Sequence, residues 1–306
     1  MAGILVSGVT GLVGRYVLEA LLEQGEEEVH TVARRPLPAP FEGNPRIRQH
    51  QADITDAAAL DAALRQASPA VVIHPAAIAD VDLCEREQAL ARAVNRDGAA
   101  NMARACVAVG AHLIHVSTDY VFDGSAEHPG PYDESAAPQP VNFYGQTKLE
   151  AERLVSEICA GRVGYAICRT ALVYGWNPAG RQNFIIGMLN DLRAGRQVRA
   201  VTDQQNTPTH AGNLAQMLLK AAERRASGIY HTAGAELITR YRLTLLVAQQ
   251  FQQDSSLILP IVSAELGQRA RRPLLSGLRV ERAERDLGVQ AWTMQQGLAQ
   301  IKRSLG

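Results

Sequence analysis

The segment Ser7-Gly8-Val9-Thr10-Gly11-Leu12-Val13-Gly14 decides the fold. It follows a short apolar run, Gly3-Ile4-Leu5-Val6, and opens a helical pattern over Val13–Gln24. Glycines at positions 8, 11 and 14 permit a sharp turn and a close approach of the backbone to a pyrophosphate, where a side chain would intrude. The helix behind them offers unpaired N–H groups and the positive end of its dipole. The spacing is Gly-x-x-Gly-x-x-Gly, not the commoner Gly-x-Gly-x-x-Gly, and a strand-to-helix corner without a ligand could look the same. Its place after the first strand of an alternating chain makes it a dinucleotide cradle, formed by Gly8, Thr10, Gly11, Leu12, Val13 and Gly14.

Outward from that turn, apolar runs at Ile4–Val6, Val29–Ala33, Ile47–Ala52, Val71–His74, Leu113–Val116 and Tyr165–Arg169 read as strands. Between them, Val13–Gln24, Asp56–Ala67, Arg96–Val109 and Thr147–Ile158 read as helices. Such alternation predicts an α/β fold of Rossmann type, a doubly wound parallel sheet with helices on both faces. Thr55 and Asp56 suit a helix N-cap, and Gly25 and Gly110 are expected to end their helices in the left-handed conformation. Past residue 170 the pattern changes. Helices near Asn183–Ala194, Ala211–Arg224 and Leu243–Gln253 alternate with short strands near Val198, Ile229–Thr232 and Leu257–Leu259. Residues 1–170 therefore read as the dinucleotide-binding domain. Residues 171–306 read as mainly a smaller C-terminal substrate lobe, with some segments returning to the sheet.

Composition narrows the function. Lys+Arg and Asp+Glu are both 31 and the formal charge is +0, so there is no electrostatic case for nucleic acid or a membrane surface. Hydrophobic residues at 46% supply a large core without a metal or disulfide staple. Cys84, Cys106, Cys159 and Cys168 form neither a C-x-x-C pair nor a zinc-type spacing, so no metal site is expected and a reduced, cytoplasmic setting fits. The N-terminus does not read as a signal peptide, and no stretch approaches the ~20 apolar residues of a membrane span.

The ends of the next strands bear on the cofactor. Val32-Ala33-Arg34-Arg35 offers two guanidiniums and no carboxylate. Arginine suits the 2′-phosphate of NADP, whereas an NAD site places an acidic residue there. NADPH is the expected cofactor, with NAD as the alternative; the competing reading makes both arginines solvated loop residues. Asp53-Ile54 places a carboxylate where it would either accept from the adenine amino group or cap a helix. His74-Pro75-Ala76-Ala77-Ile78 brings small residues past a ribose, with His74 itself a packed histidine.

Carbonyl reduction needs a hydride on carbon and a proton on oxygen. A tyrosine with a pKa near 10 donates poorly at neutral pH, and a lysine one helical turn away lowers that pKa by its charge. Tyr144 and Lys148 have this i, i+4 relation, and Thr118 or Ser117 would hold the carbonyl oxygen. A Tyr-x-x-x-Lys alone is common on surface helices; the preceding Val116-Ser117-Thr118-Asp119 raises its weight.

These residues resemble the extended short-chain dehydrogenase/reductases, and within them the dTDP-4-dehydrorhamnose reductase family. The similarity covers nearly the whole chain. It rests on Ser117-Thr118-Asp119-Tyr120-Val121-Phe122-Asp123-Gly124, on Pro131-Tyr132-Asp133-Glu134 and on Tyr144-Gly145-Gln146-Thr147-Lys148. Arg169-Thr170, Val173-Tyr174-Gly175, Pro208-Thr209 and Arg272-Pro273 complete it. The resemblance implies Thr118, Tyr144 and Lys148 as the catalytic set. Asn95, Ser117 and Arg169 would stand beside the cofactor, and Val81, Asp119, Tyr120, Leu172, Thr209 and Arg272 along the substrate pocket. It implies reduction of a 4-keto group on a nucleotide-linked 6-deoxyhexose, and a homodimer is compatible with it. Two departures touch the sugar pocket: Leu172 stands where the family has tryptophan, and Leu275-Ser276 lacks the usual asparagine. Two other readings share the fold: an epimerase or dehydratase that retains NAD, and a non-catalytic subunit like the regulatory subunit of methionine adenosyltransferase.

Overall fold

A computed structural model describes residues 3–25, 27–178 and 183–305. The first half alternates β1 (Ile4–Ser7), α1 (Leu12–Gln24), β2 (Val29–Ala33), β3 (Ile47–Gln51), α2 (Ala57–Ala67) and β4 (Val71–His74). Then come α3 (Val81–Arg86), α4 (Gln88–Ala91), a π-helical turn at Arg92–Asp97, α5 (Gly98–Val109), β5 (His112–Thr118), α6 (Phe143–Cys159) and β6 (Tyr165–Thr170). The second half holds β7 (Val173–Tyr174), α7 (Phe184–Arg193), β8 (Val198–Val201), β9 (Gln205–Asn206), β10 (Thr209–His210), α8 (Ala211–Glu223) and β11 (Gly228–His231). It ends with β12 (Ile238–Thr239), α9 (Arg240–Gln250), β13 (Ile258–Ile261), α10 (Glu281–Leu287) and α11 (Met294–Leu305).

Seven strands form one parallel sheet in the order β11-β6-β5-β4-β1-β2-β3. Strand order reverses between β1 and β4, and ligands of open α/β sheets bind at such a switch point, beyond the strands' carboxyl ends. The inner strands β1, β4 and β5 are buried throughout because both faces are covered, whereas the edge strand β3 is half exposed and largely polar. Val17 and Leu18 of α1 pack with Leu214, Met217 and Leu218 of α8 on one face; Leu60, Leu64, Met102, Cys106 and Val155, from α2, α5 and α6, cover the other. Each such fully buried side chain contributes about 1.5–3 kcal/mol. A further cluster, with Tyr174, Ile185, Leu189, Leu243, Val247 and Leu298, joins α7, α9 and α11.

Helix ends refine the sequence reading. Asp56 caps α2, accepting from the N–H groups of Ala58 and Ala59, and Gly110 closes α5 at φ +73°. Gly25 is a correction: it follows α1 in extended backbone, φ −167°, and is not left-handed. Helix α6 begins at Phe143, earlier than its sequence pattern, because Asn142 caps it by accepting from Gly145 N–H.

Candidate active site

The turn after β1 is built by removing side chains. Gly8 sits at φ +61°, and a Cβ there would lie 2.8 Å from Ala76 Cα, at the end of β4. A Cβ on Gly14 would overlap the Gly8 carbonyl oxygen, so α1 can pack onto the turn only with hydrogen at that position. Gly11 is the N-cap of α1 and no side chain caps it. The first N–H groups of the helix are thus left for an anion, and this cradle fits a dinucleotide pyrophosphate. Thr10 and Gly11 are exposed, Leu12 and Val13 half-buried at the start of the helix, and Ala76 and Ala77 pass close by.

Arg34 and Arg35 are exposed beyond β2. Arg34 Nη1 lies 3.7 Å from Asp53 Oδ2, with side chains 70% and 38% exposed. Asp53 Oδ1 accepts from the N–H and the hydroxyl of Thr55, each at 2.9 Å, so its carboxylate makes a local turn and leaves the helix cap to Asp56. Ile54 packs beneath Gly98.

The residues expected to transfer the proton stand at the carboxyl end of β5 and in the first two turns of α6. Thr118 is buried; its hydroxyl oxygen accepts from Tyr120 N–H at 3.2 Å and its hydroxyl donates to Asp119 Oδ1 at 3.3 Å. The Tyr120 ring meets Tyr144 edge-on, centroids 5.8 Å apart. Burial pushes the Tyr144 hydroxyl up, opposed by the Thr118 hydroxyl. Lys148 is buried too. Its Nζ donates to the Val116 carbonyl at 2.7 Å and lies 3.3 Å from His115 Nε2. Burial lowers it to about 8, with Glu152 pulling the other way. The expectation that Lys148 depresses the Tyr144 pKa is therefore corrected: the ammonium rests on β5, and desolvation dominates at the phenol. Asp119 accepts from Ser276 Oγ at 2.8 Å, and burial raises its carboxyl to about 6. It ties the loop after β5 to the C-terminal segment rather than lining open space.

Several other expected ligand residues are occupied within the protein. Arg169 makes a bidentate pair with Glu152, Nη2–Oε2 2.7 Å and Nε–Oε1 3.0 Å, and its guanidinium covers Phe122 at 5.2 Å. Ser117 Oγ donates to the same carboxylate at 2.5 Å. Ser117, Glu152 and Arg169 thus form a buried triad, in which Arg169 Nη1 keeps no hydrogen-bond partner. Asn95 Oδ1 accepts from Ile78 N–H at 2.7 Å and its Nδ2 donates to Thr147 Oγ1 at 3.3 Å. It pins the loop after β4 to α6 and positions the site rather than touching a ligand. Thr209 is fully buried, its hydroxyl donating to Ala171 O at 2.7 Å and accepting from Gly234 N–H, so it does not line the pocket. Leu172 adopts φ +40° and packs with Trp176 and Phe184.

The substrate side is held by Arg272. It forms two bonds to Asp82 of α3, at 3.0 and 2.8 Å, and its charge acts on Tyr120. Val81, half-buried, opens α3 beside it. A cleft of about 590 Å³ lies between Asp123–Glu127 and Ser263–Leu275, with Arg272 in its lining. Sequence reasoning missed Glu152, His115 and Arg240, whose charge acts on Tyr120 and Asp119. Glu152 had a signal, standing one turn beyond Lys148 on the same helix face; the other two had none.

Among the described residues, no helix is long and apolar enough to cross a membrane, and no cluster of His, Cys, Asp or Glu could hold a metal ion. Residues 1–305 match the family described as the RmlD substrate binding domain. The chain is 33% identical to a probable low-salt glycan biosynthesis reductase, Agl14, of Haloferax volcanii, over 97% of this chain and 96% of that protein. It is 37% identical to dTDP-4-dehydrorhamnose reductase of Mycobacterium tuberculosis, over 76% and 75%. It is also 32% identical to methionine adenosyltransferase 2 subunit beta of Xenopus tropicalis, over 87% and 77%. A dTDP-4-dehydrorhamnose reductase structure from Clostridium acetobutylicum superposes with a TM-score of 0.85 at 30% identity, covering 99% of both chains. One from Bacillus anthracis, in complex with NADP, gives 0.82 at 27% identity and 98% of both. With its seven-stranded parallel sheet and its near-complete match, the chain belongs to the RmlD substrate-binding-domain family, as do dTDP-4-dehydrorhamnose reductases.

Proposed function

We propose that this protein is a cytoplasmic, NADPH-dependent reductase of a sugar carbonyl, and that its substrate is a nucleotide-linked 4-keto-6-deoxyhexose. The observation that carries the reading is the joint placement, at the carboxyl edge of one sheet, of an uncapped glycine turn after β1 and of Thr118 at the end of β5 with Tyr144 in the first turn of α6, the two strands flanking β4. Bound NADPH would supply hydride to the carbonyl carbon. The turn of Gly8, Gly11 and Gly14 would let its pyrophosphate reach the first N–H groups of α1, and Arg34 and Arg35 would meet its 2′-phosphate. Thr118 orients the carbonyl oxygen, Tyr144 gives it a proton, and Lys148 keeps positive charge below the site. The cleft with Arg272 in its lining has the size to take the nucleotide end of the substrate.

The test is loss of nicotinamide absorbance with NADPH or NADH against dTDP-, UDP- and GDP-linked 4-keto-6-deoxyhexoses. Oxidation with one of these sugars is expected, and Tyr144→Phe lowers kcat by about 10²–10⁴-fold while NADPH binding stays. Activity falls as pH rises through about 8, where Lys148 loses its proton. The 32% identity to a methionine adenosyltransferase subunit supports a second reading, a regulatory subunit. Cofactor binding without turnover of any sugar, together with capture of a methionine adenosyltransferase, would favour it.

A further inference from the structure

The buried groups left over by this mechanism include two histidines. His74 ends β4 and His115 lies opposite it on β5. Both rings are buried, 1% and 0% exposed, with centroids 5.6 Å apart and tilted by 33°. Toward the glycine turn, His74 Nδ1 meets Ser7 Oγ at 2.7 Å, on the last residue of β1. Toward α6, His115 Nε2 meets Lys148 Nζ at 3.3 Å. A column of side chains thus runs under the carboxyl ends of β1, β4 and β5, from the glycine turn to the lysine.

We propose that His115 is a positioning residue for Lys148: with the Val116 carbonyl, its Nε2 accepts from the ammonium and fixes where that charge stands beneath the reacting groups. An ammonium has three donors and no acceptor, so the ring nitrogen facing it must carry the lone pair. His115 therefore holds its own proton on Nδ1 and stays neutral. Charging it would place two cations within 3.3 Å in a site without water. Burial, Lys148 and then His74 all hold His115 far below the usual imidazole range. The other ionisable group facing the ammonium is Glu152 of its own helix, which Arg169 of β6 engages. A buried ammonium is costly unless hydrogen-bonded, and an imidazole meets that need without adding charge.

The kinetic half of this inference rests on the reductase reading; the structural half does not. The sequence has three lysines, Lys148, Lys220 and Lys302; Lys302 is exposed and the Lys220 side chain is 45% exposed. Lysine labelled with 13C at Cε therefore gives three NMR signals, and Lys148→Arg identifies the buried one. His115→Phe keeps a ring against His74 and removes the acceptor; His115→Leu serves if Phe does not fold. His115→Gln restores an acceptor. Without the acceptor, the Lys148 midpoint falls by about one pH unit, because a hydrogen bond to a charged group is worth about that much. With Gln it returns toward the wild-type value. In turnover, the alkaline limb moves down by the same amount and the KM for NADPH rises more than kcat falls. Equal midpoints in wild type and His115→Phe, or equal shifts in Phe and Gln, overturn the proposal. Inactive wild type with the NMR shift intact defeats the reductase reading and leaves the role of His115 standing.

Discussion

At the turn between β1 and α1 the working groups are backbone N–H groups, laid bare because three side chains are missing. At the start of α6 they are side chains, buried and held by other buried side chains. The first region is open, carries no ionisable group of its own, and tolerates no added atom at Gly8 or Gly14. The second sets the half-buried Tyr144 above the buried Lys148, His115 and, a turn further, the Glu152–Arg169 pair. A backbone-built site fails by obstruction; a site built from buried charges fails by loss of a partner. The contrast predicts different symptoms for damage to each.

Gly14→Ala should have the largest effect. The methyl has no room beside the Gly8 carbonyl, so cofactor binding is lost altogether while α6 and its residues stay intact. Retained stabilisation by NADPH in a thermal-shift experiment would break the contrast. Next is Glu152→Ala, which strands Arg169 as a buried charge without a partner. Unfolding free energy should drop by about 3–5 kcal/mol, read in urea melts, with the glycine turn unaffected. Glu152→Gln, keeping the Ser117 bond, should lose less. Smallest is Arg34→Ala. Its pair with Asp53 is exposed at 3.7 Å, and such pairs contribute about 0–1 kcal/mol to stability. Tm should stay put while the KM for NADPH rises about tenfold and that for NADH does not, the energy of one phosphate contact. Equal changes for both coenzymes would remove Arg34 from the 2′-phosphate site.

The same contrast explains what could be read in advance. Most strands from β1 to β6 were visible because sheets covered on both faces have continuous apolar runs, the polar edge strand β3 being visible only from its place in the alternation, and the glycine turn because only glycine satisfies it. Tyr144 and Lys148 were visible from their i, i+4 spacing. The roles of Ser117, Arg169, Asn95 and Thr209 were not, because their partners, Glu152, Ile78 with Thr147, and Ala171, are brought to them by the fold. An arginine reads alike in sequence whether solvated, as Arg34, or neutralised, as Arg169. The left-handed ending expected of Gly25 failed for a related reason: glycine permits that conformation but does not require it.

The seventh strand has a bearing on how the chain is made. β11 pairs with β6 through Gly228–Ala166 to His231–Arg169, yet it is reached only after α7, α8 and the short strands between have been synthesised. Until then β6, with Ala166, Ile167 and Cys168 destined for almost complete burial, is an unpaired edge. Such edges template pairing with other chains, and domains emerge from synthesis N-terminal part first. A nascent or truncated chain ending before Gly228 should therefore aggregate through β6 even though every group assigned to proton transfer is already present.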